Sequence, residues 1–251
     1  MNELNKSQKE AVTYINSNSA IIACPGSGKT KTIIAKVNYL LSIDVDPEDI
    51  ILITYTRNAA KEMKDRLKNN DIFVGTVHSF AFKILNISLP YSIIEDNEQI
   101  YILKDICDDH KNFLKVYNRL GYGDKTIEEI KDDKNIICEL EQYEEYKKDN
   151  NLYDYDDLMK LCLQYVQSNK VSYKHILVDE FQDINTIQYK IINNLQGIIT
   201  VVGDDAQSIY GFRGSINKYL INFKGKIFKL ELNYRSTPQI INKAKEIINL
   251  N

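Results

Sequence analysis

The chain has 251 residues, of which 43% are hydrophobic, 27% charged and 10% aromatic, with a formal charge of −3. That composition excludes a disordered or collagen-like chain, and the length suffices for one large domain or two modest ones with a self-supporting core. No apolar run approaches the roughly 20 residues of a membrane span. The polar start MNELNKSQKE has no signal-peptide core, and Cys24, Cys107, Cys138 and Cys162 show no metal-ligand spacing, so reduced thiols in a cytosolic protein are expected.

Taken in chain order, Ala20–Cys24 is a predicted strand, Lys29–Leu41 a helix, Ile50–Tyr55 a strand and Asn58–Lys68 a helix. Ile72–Gly75 follows as a strand and Ser79–Asn86 as a helix. The strands are mostly continuous apolar runs, as expected where both faces of a parallel sheet are buried. From about Tyr91 to Asn151 strand character almost vanishes. Helices are expected there over Glu98–Asp109, Asn112–Leu120 and Glu139–Lys148, broken by Gly121-Tyr122-Gly123. The alternation resumes with a helix over Tyr155–Val166, a strand at His175–Val178, a helix at Thr186–Asn194 and a strand at Ile198–Val202. A helix at Ser215–Asn222, a strand at Ile227–Leu232 and a helix at Pro238–Ile248 complete it, the last with Thr237 as N-cap and proline at its first position. Strands alternating with helices predict a three-layer α/β fold with right-handed crossovers, and the middle block a small α-helical subdomain inserted into it.

Charge follows the same division. Glu95 to Lys160 holds 19 acidic and 10 basic residues, a balance of −9, leaving 22 basic and 16 acidic residues, +6, elsewhere. The overall charge therefore says little about partners.

Between the first strand and first long helix lies Ala23-Cys24-Pro25-Gly26-Ser27-Gly28-Lys29-Thr30, a P-loop pattern with Ala23 in place of its first glycine. Glycines let backbone N–H groups curl toward phosphates at a helix N-terminus. Gly26, Ser27, Gly28, Lys29, Thr30 and the adjacent Lys31 are the expected nucleotide-binding residues. Lys29 would reach the β- and γ-phosphates of ATP and Thr30 would hold Mg²⁺. A second buried strand ends in Asp179-Glu180, where Asp179 would bind the Mg²⁺ and Glu180 would act as general base toward the attacking water. These two elements together predict a P-loop NTPase.

The remaining motifs resemble those of superfamily 1 helicases of the UvrD/Rep/PcrA type. Leu4 to Val12 is similar to the family's Q motif, Thr54 to Met63 to motif Ia and Gly75 to Phe80 to motif Ib. Asp179 to Asp183 matches motif II, Val202 to Gly214 motif III, and Asn233 to Thr237 motif IV. The resemblance implies a RecA-like ATP-binding domain at 1–90 and 152–228, a 1B-like helical insert at 91–151, and the start of a second, incomplete RecA-like domain at 229–251. It also implies roles. Gln8 reads the adenine edge, with a capping box on Asn5 as an alternative that can coexist. Tyr234 stacks on the base or is a core aromatic. Gln207 senses the γ-phosphate, and Arg235 contacts it from across an interdomain cleft or makes a surface ion pair.

Single-stranded DNA is the implied polymer, moved 3′ to 5′ by ATP hydrolysis. Tyr55 and Phe212 would stack bases, the second being tryptophan in many members; the chain has no tryptophan. Thr54, Thr56, Thr76 and His78 would bond phosphates and sugars, with Arg57 supplying charge. The insert's acidity disfavours DNA across its whole surface, so a solvated acidic face with one local basic patch, or a protein-docking face, is expected instead. With the later motifs of a second motor domain missing, an amino-terminal fragment or truncated member is expected, one that binds ATP, hydrolyses it slowly and does not unwind alone. The alternatives are the motor part of a RecB/AddA-like helicase-nuclease and a non-catalytic nucleic-acid-binding module.

Overall fold

The computed structural model describes residues 3–67, 71–85, 92–204, 218–237, 239–240 and 243. Gln207, Phe212 and most of the helix expected at Pro238–Ile248 lie outside the described residues. Helix α1 (Lys6–Thr13) precedes β1 (Ser19–Ala23), α2 (Lys29–Ser42), β2 (Ile50–Ile53), α3 (Arg57–Leu67), β3 (Phe73–Gly75) and α4 (Val77–Leu85). The acidic block opens with β4 (Ser92–Ile93), continues through α5 (Asp96–Ile106), α6 (His110–Gly121) and α7 (Lys134–Asp149), and closes at β5 (Leu152–Tyr153). Then come α8 (Tyr155–Ser168), β6 (Ser172–Val178), α9 (Thr186–Asn194), β7 (Gln196–Gly203), α10 (Lys218–Ile221) and β8 (Lys226–Leu230).

Six strands form one parallel sheet in the order β3-β2-β6-β7-β1-β8. Successive side chains leave a strand on opposite faces, so each apolar run feeds two cores. Ile51, Ile53, Ile176 and Val178 meet Phe80, Leu158, Met159 and Ile191 of α4, α8 and α9 on one face. Ile50, Leu52 and Leu177 meet Ile33, Val37, Leu40 and Met63 of α2 and α3 on the other. The three-layer expectation thus holds in this sheet. Among the described residues no helix is long and apolar enough to cross a membrane, and the four cysteines are free thiols.

Two features differ from the sequence reading. The acidic block is bracketed by the parallel pair β4–β5, with Ser92 opposite Leu152. Strands of two residues are too short to show any period, which hid them. β8 pairs with β1 as the sheet's outer strand, Ser19 facing Lys226 and Ala23 facing Leu230. The sheet therefore continues to Leu230, past the expected boundary at residue 228.

The helices of the block enclose a core of their own, built from Ile94, Ile102, Leu103, Phe113, Tyr117 and Tyr143. At its base Lys147 is 2% exposed and donates to Tyr117 Oη at 2.9 Å, Glu144 Oε1 at 3.0 Å, Asp154 Oδ2 at 3.2 Å and Asp157 Oδ2 at 2.6 Å. Asp154 also caps α8, accepting from the Asp157 N–H at 2.9 Å. Just past the block, Asp154 is buried and neutralised by this buried lysine.

Candidate functional site

The loop after β1 turns tightly because Ser27 directs both its N–H, at 3.1 Å, and its hydroxyl, at 2.7 Å, to the Cys24 carbonyl. Gly26 and Gly28 adopt φ of +71° and +86°, and Gly28 is the N-cap of α2. A Cβ at Gly26 would lie 2.7 Å from Arg235 Cβ, so that glycine is required by close approach as well as by its φ. The loop thereby presents the N-terminus of a 14-residue helix with Lys29 and Thr30 in its first turn.

Lys29 reaches across to β6, two strands from β1, where its Nζ lies 3.4 Å from Glu180 Oε2. Glu180 itself sits in the left-handed region, φ 49° and ψ 45°, a conformation uncommon for a non-glycine residue and concentrated at functional sites. Asp179 is 4% exposed, and its Oδ1 has no hydrogen-bond partner; Asp183 Oδ1 and Thr54 Oγ1 share that condition. Burial, then the charge of Glu180, pushes the Asp179 carboxyl up to about 7 and that of Asp183 up to about 6. Buried carboxylate oxygens without partners are costly unless a cation completes them. Among the described residues no three His, Cys, Asp or Glu side chains cluster as a self-sufficient metal cage. The donor set therefore suits a hard ion that takes one or two protein oxygens and fills the rest with phosphate and water, as Mg²⁺ does.

The loop is held from both sides. Gln8 is buried and completes a capping box with Asn5, accepting its N–H at 3.0 Å and donating its own N–H to Asn5 Oδ1 at 2.8 Å. Gln8 Nε2 also donates to the Ser27 carbonyl at 3.0 Å. One amide hydrogen and one lone pair of Gln8 remain for a base edge, so capping and adenine reading are compatible. From the opposite side, Tyr234 N–H donates to the Gly26 carbonyl at 2.8 Å and Asn233 Nδ2 to the Pro25 carbonyl at 2.5 Å. Tyr234 is 62% exposed, not a core aromatic, and its hydroxyl accepts from Asn5 Nδ2 at 2.8 Å. Arg235 stands against Gly26 of this same loop. Lys31 does not join the group; its Nζ turns to Glu3, 3.1 Å from Oε2.

A cleft of about 760 Å³ opens on the other side of Asp179, between the strand ends and the helical block. Thr54, Tyr55, Arg57, Thr76 and His78 line one wall, and Glu95, Asp96, Asn118, Tyr122 and Asp156 the other. Residues 24–30 are not part of its lining, but Asp179 and Asp183 are. Helices α3 and α4 begin at this cleft, with Thr56 accepting from Ala59 N–H at 3.1 Å and Thr76 from Ser79 N–H at 3.2 Å. Two helix N-termini suit anionic phosphates. Arg57 donates to Tyr155 Oη at 3.4 Å, and Tyr155 meets His78 edge-on with centroids 5.6 Å apart. Burial, then Arg57, lowers the His78 pKa, so its imidazole is a neutral hydrogen-bonding group. The cleft thus holds Thr54, Tyr55, Arg57, Thr76 and His78 of the expected polymer track and shares Asp179 with the phosphate side; Thr56 is not in its lining, and Phe212 lies outside the described residues.

A glycine-bearing loop after β1, an acid-tipped strand β6, and β7 inserted between them define a RecA-like P-loop NTPase fold. The chain belongs to the UvrD/REP helicase N-terminal domain family, whose profile matches residues 4–227. It is 32% identical to the ATP-dependent DNA helicase Rep of Buchnera aphidicola subsp. Acyrthosiphon pisum, over 98% of this chain and 45% of that protein. DNA helicase II of Haemophilus influenzae is 32% identical over 98% of this chain and 40% of its own length. PcrA of Staphylococcus epidermidis is 32% identical over 99% and 40%. The chain spans less than half the length of these relatives. The alignment with Rep runs over 291 residues against the chain's own 251, so Rep carries residues within the matched stretch that this chain lacks.

Sequence reasoning missed Gln182, which is buried and bonded to both Glu180 and Asp204. It also missed Asn5 as a partner of Tyr234. The first had a signal, an amide inside an acidic motif; the second, a contact across 229 positions, had none.

Proposed function

We propose that this chain is the ATP-binding motor portion of a DNA helicase, hydrolysing ATP at the ends of β1 and β6 and engaging single-stranded DNA in the adjoining cleft. The observation that carries the reading is Asp179 Oδ1, a buried oxygen without a partner beside the loosely held Lys29–Glu180 pair. The relatives' printed names, ATP-dependent DNA helicases, support the same reading.

Lys29 leaves Glu180 to meet the β- and γ-phosphates, aided by the loop N–H groups at Gly26 and Gly28, while Ser27 holds the loop in its turn. Thr30 and Asp179 would hold Mg²⁺, which when bound offsets charge on the phosphate oxygens. Glu180 takes the proton of the attacking water as the bond from the γ-phosphorus to ADP breaks. Gln8 and Tyr234 face the adenine, and Arg235 and Gln207 the γ-phosphate. Thr54, Tyr55, Thr56, Arg57, Thr76, His78 and Phe212 form the track for single-stranded DNA, followed 3′ to 5′. The 251 residues alone hydrolyse ATP slowly and do not separate strands. A cytosolic location accompanies this role.

Steady-state ATPase with and without single-stranded DNA tests the reading, using Lys29→Ala and Glu180→Gln as controls. Turnover that both substitutions abolish and DNA accelerates is expected. Turnover indifferent to Lys29 would overturn the site, and indifference to DNA would overturn the track. Robust strand displacement by the purified chain would refute the expectation that it cannot unwind alone.

A further inference from the structure

Gln182 is 1% exposed, in the turn Phe181–Asp183 that follows β6. Its Nε2 donates to Glu180 Oε2 at 2.8 Å and Asp183 Oδ2 at 3.1 Å, and its Oε1 accepts from the Asp204 N–H at 3.0 Å. Two carboxylates and one N–H fix the orientation of the amide, because the flipped form would set oxygen against oxygen. Gly203 makes the approach possible: a Cβ there would lie 2.7 Å from Gln182 Oε1. The space beside Gly203 is shared by Gln182 and Leu220, whose Cδ2 would lie 2.8 Å from the same Cβ.

The same Glu180 oxygen is shared with Lys29, at 3.4 Å. Lys29 cannot serve Glu180 and a phosphate group fully at once. Once Lys29 is drawn to phosphate, Gln182 is, among the described residues, the remaining side-chain anchor on Oε2, and Oε1 is the oxygen left to take a proton. The left-handed backbone of Glu180 sets the direction of its side chain, and Gln182 holds the carboxylate at the end of it. The carbonyl end of the same amide holds the Asp204 N–H, just after β7.

We propose that Gln182 is a positioning residue of the hydrolytic site, holding the Glu180 carboxylate with its amide hydrogens and tying the end of β7 to that carboxylate through its carbonyl. The proposal rests on the ATPase reading given above. It makes loss of the Glu180–Lys29 contact felt at the Asp204 amide.

The test uses the full chain with Gln182→Ala and Gln182→Glu, and reads amide hydrogen exchange by NMR alongside single-turnover ATP hydrolysis and affinity for a fluorescent ATP analogue. For Gln182→Ala, exchange at Asp204 rises about 10-fold while Val201 and Val202 stay protected, and hydrolysis slows at least about 10-fold with nucleotide affinity held within about two-fold. For Gln182→Glu, the retained acceptor preserves protection at Asp204, while the added charge beside Glu180 abolishes hydrolysis. Unchanged exchange at Asp204 in Gln182→Ala would overturn the link, and unchanged hydrolysis would overturn the positioning role. Parallel loss of affinity, hydrolysis and melting temperature would also overturn it, marking Gln182 as merely structural. If the wild type hydrolyses no faster than Lys29→Ala, the ATPase reading fails, and exchange at Asp204 still decides the link.

Discussion

Lys147 and Lys29 both stand among carboxylates, and the protein treats them in opposite ways. Lys147 is nearly sealed from solvent, meets four oxygens, and lies over the rings of Tyr117 and Tyr143 at 5.4 and 4.9 Å. Burial lowers its pKa, but Asp154 and Asp157 outweigh that and hold it above the usual lysine value. Burial likewise raises the Asp154 pKa, and Lys147 with the surrounding hydrogen bonds brings it below the normal range. Among the described residues Lys29 has a single carboxylate contact, at 3.4 Å, next to the Oδ1 atoms of Asp179 and Asp183, which have no partner there. A satisfied cluster fastens structure, whereas an unsatisfied one is completed by something that binds. The first ties the helical block to α8; the second lies where phosphate and a cation would enter.

Replacing each lysine should therefore give opposite phenotypes. Lys147→Met leaves Asp154 and Asp157 buried without their cation, and chemical denaturation should show a loss of about 3–5 kcal/mol. Lys29→Ala should cost little stability but slow hydrolysis by about 10²–10³-fold, read in a single-turnover assay. A third lysine lies between these extremes. Lys36 is fully buried and donates to the carbonyls of Ala11, at 3.0 Å, and Tyr14, with no carboxylate among these partners.

Burial pushes the Lys36 ammonium down to about 8. The unfolded chain keeps that proton to about 10.5, so it binds more protons than the folded state between those values, and stability rises with pH through that window. The gain should be about 2.5 kcal/mol between pH 8 and 10.5, and Lys36→Met should abolish the slope. Smallest is Asn5→Ala, which removes the α1 cap and the Tyr234 contact for about 1 kcal/mol. Asn5→Asp should restore the cap without restoring donation to the Tyr234 hydroxyl.

The sheet was legible because its strands are continuous apolar runs, and Gly28-Lys29-Thr30 and Asp179-Glu180 were legible because both motifs are local. Lys147 was not. In sequence it is one charge among many on an acidic helix, and only folding brings Asp154 and Tyr117 to it. Tyr234 against Asn5 and β8 against β1 were equally hidden, since both depend on distant partners. The Lys31 side chain has a partner that sequence also hides. Adjacent in sequence to the phosphate residues, it lies on the outer side of α2 and pairs with Glu3.

The most direct test of the unsatisfied site is the binding of a non-hydrolysable ATP analogue, with and without Mg²⁺, to the wild type and Asp179→Asn. Thermal stability read alongside shows whether each variant folds. The account predicts that Mg²⁺ tightens binding to the wild type at least about 10-fold and that Asp179→Asn loses most of this gain while staying folded. Equal affinity in all four conditions would contradict it.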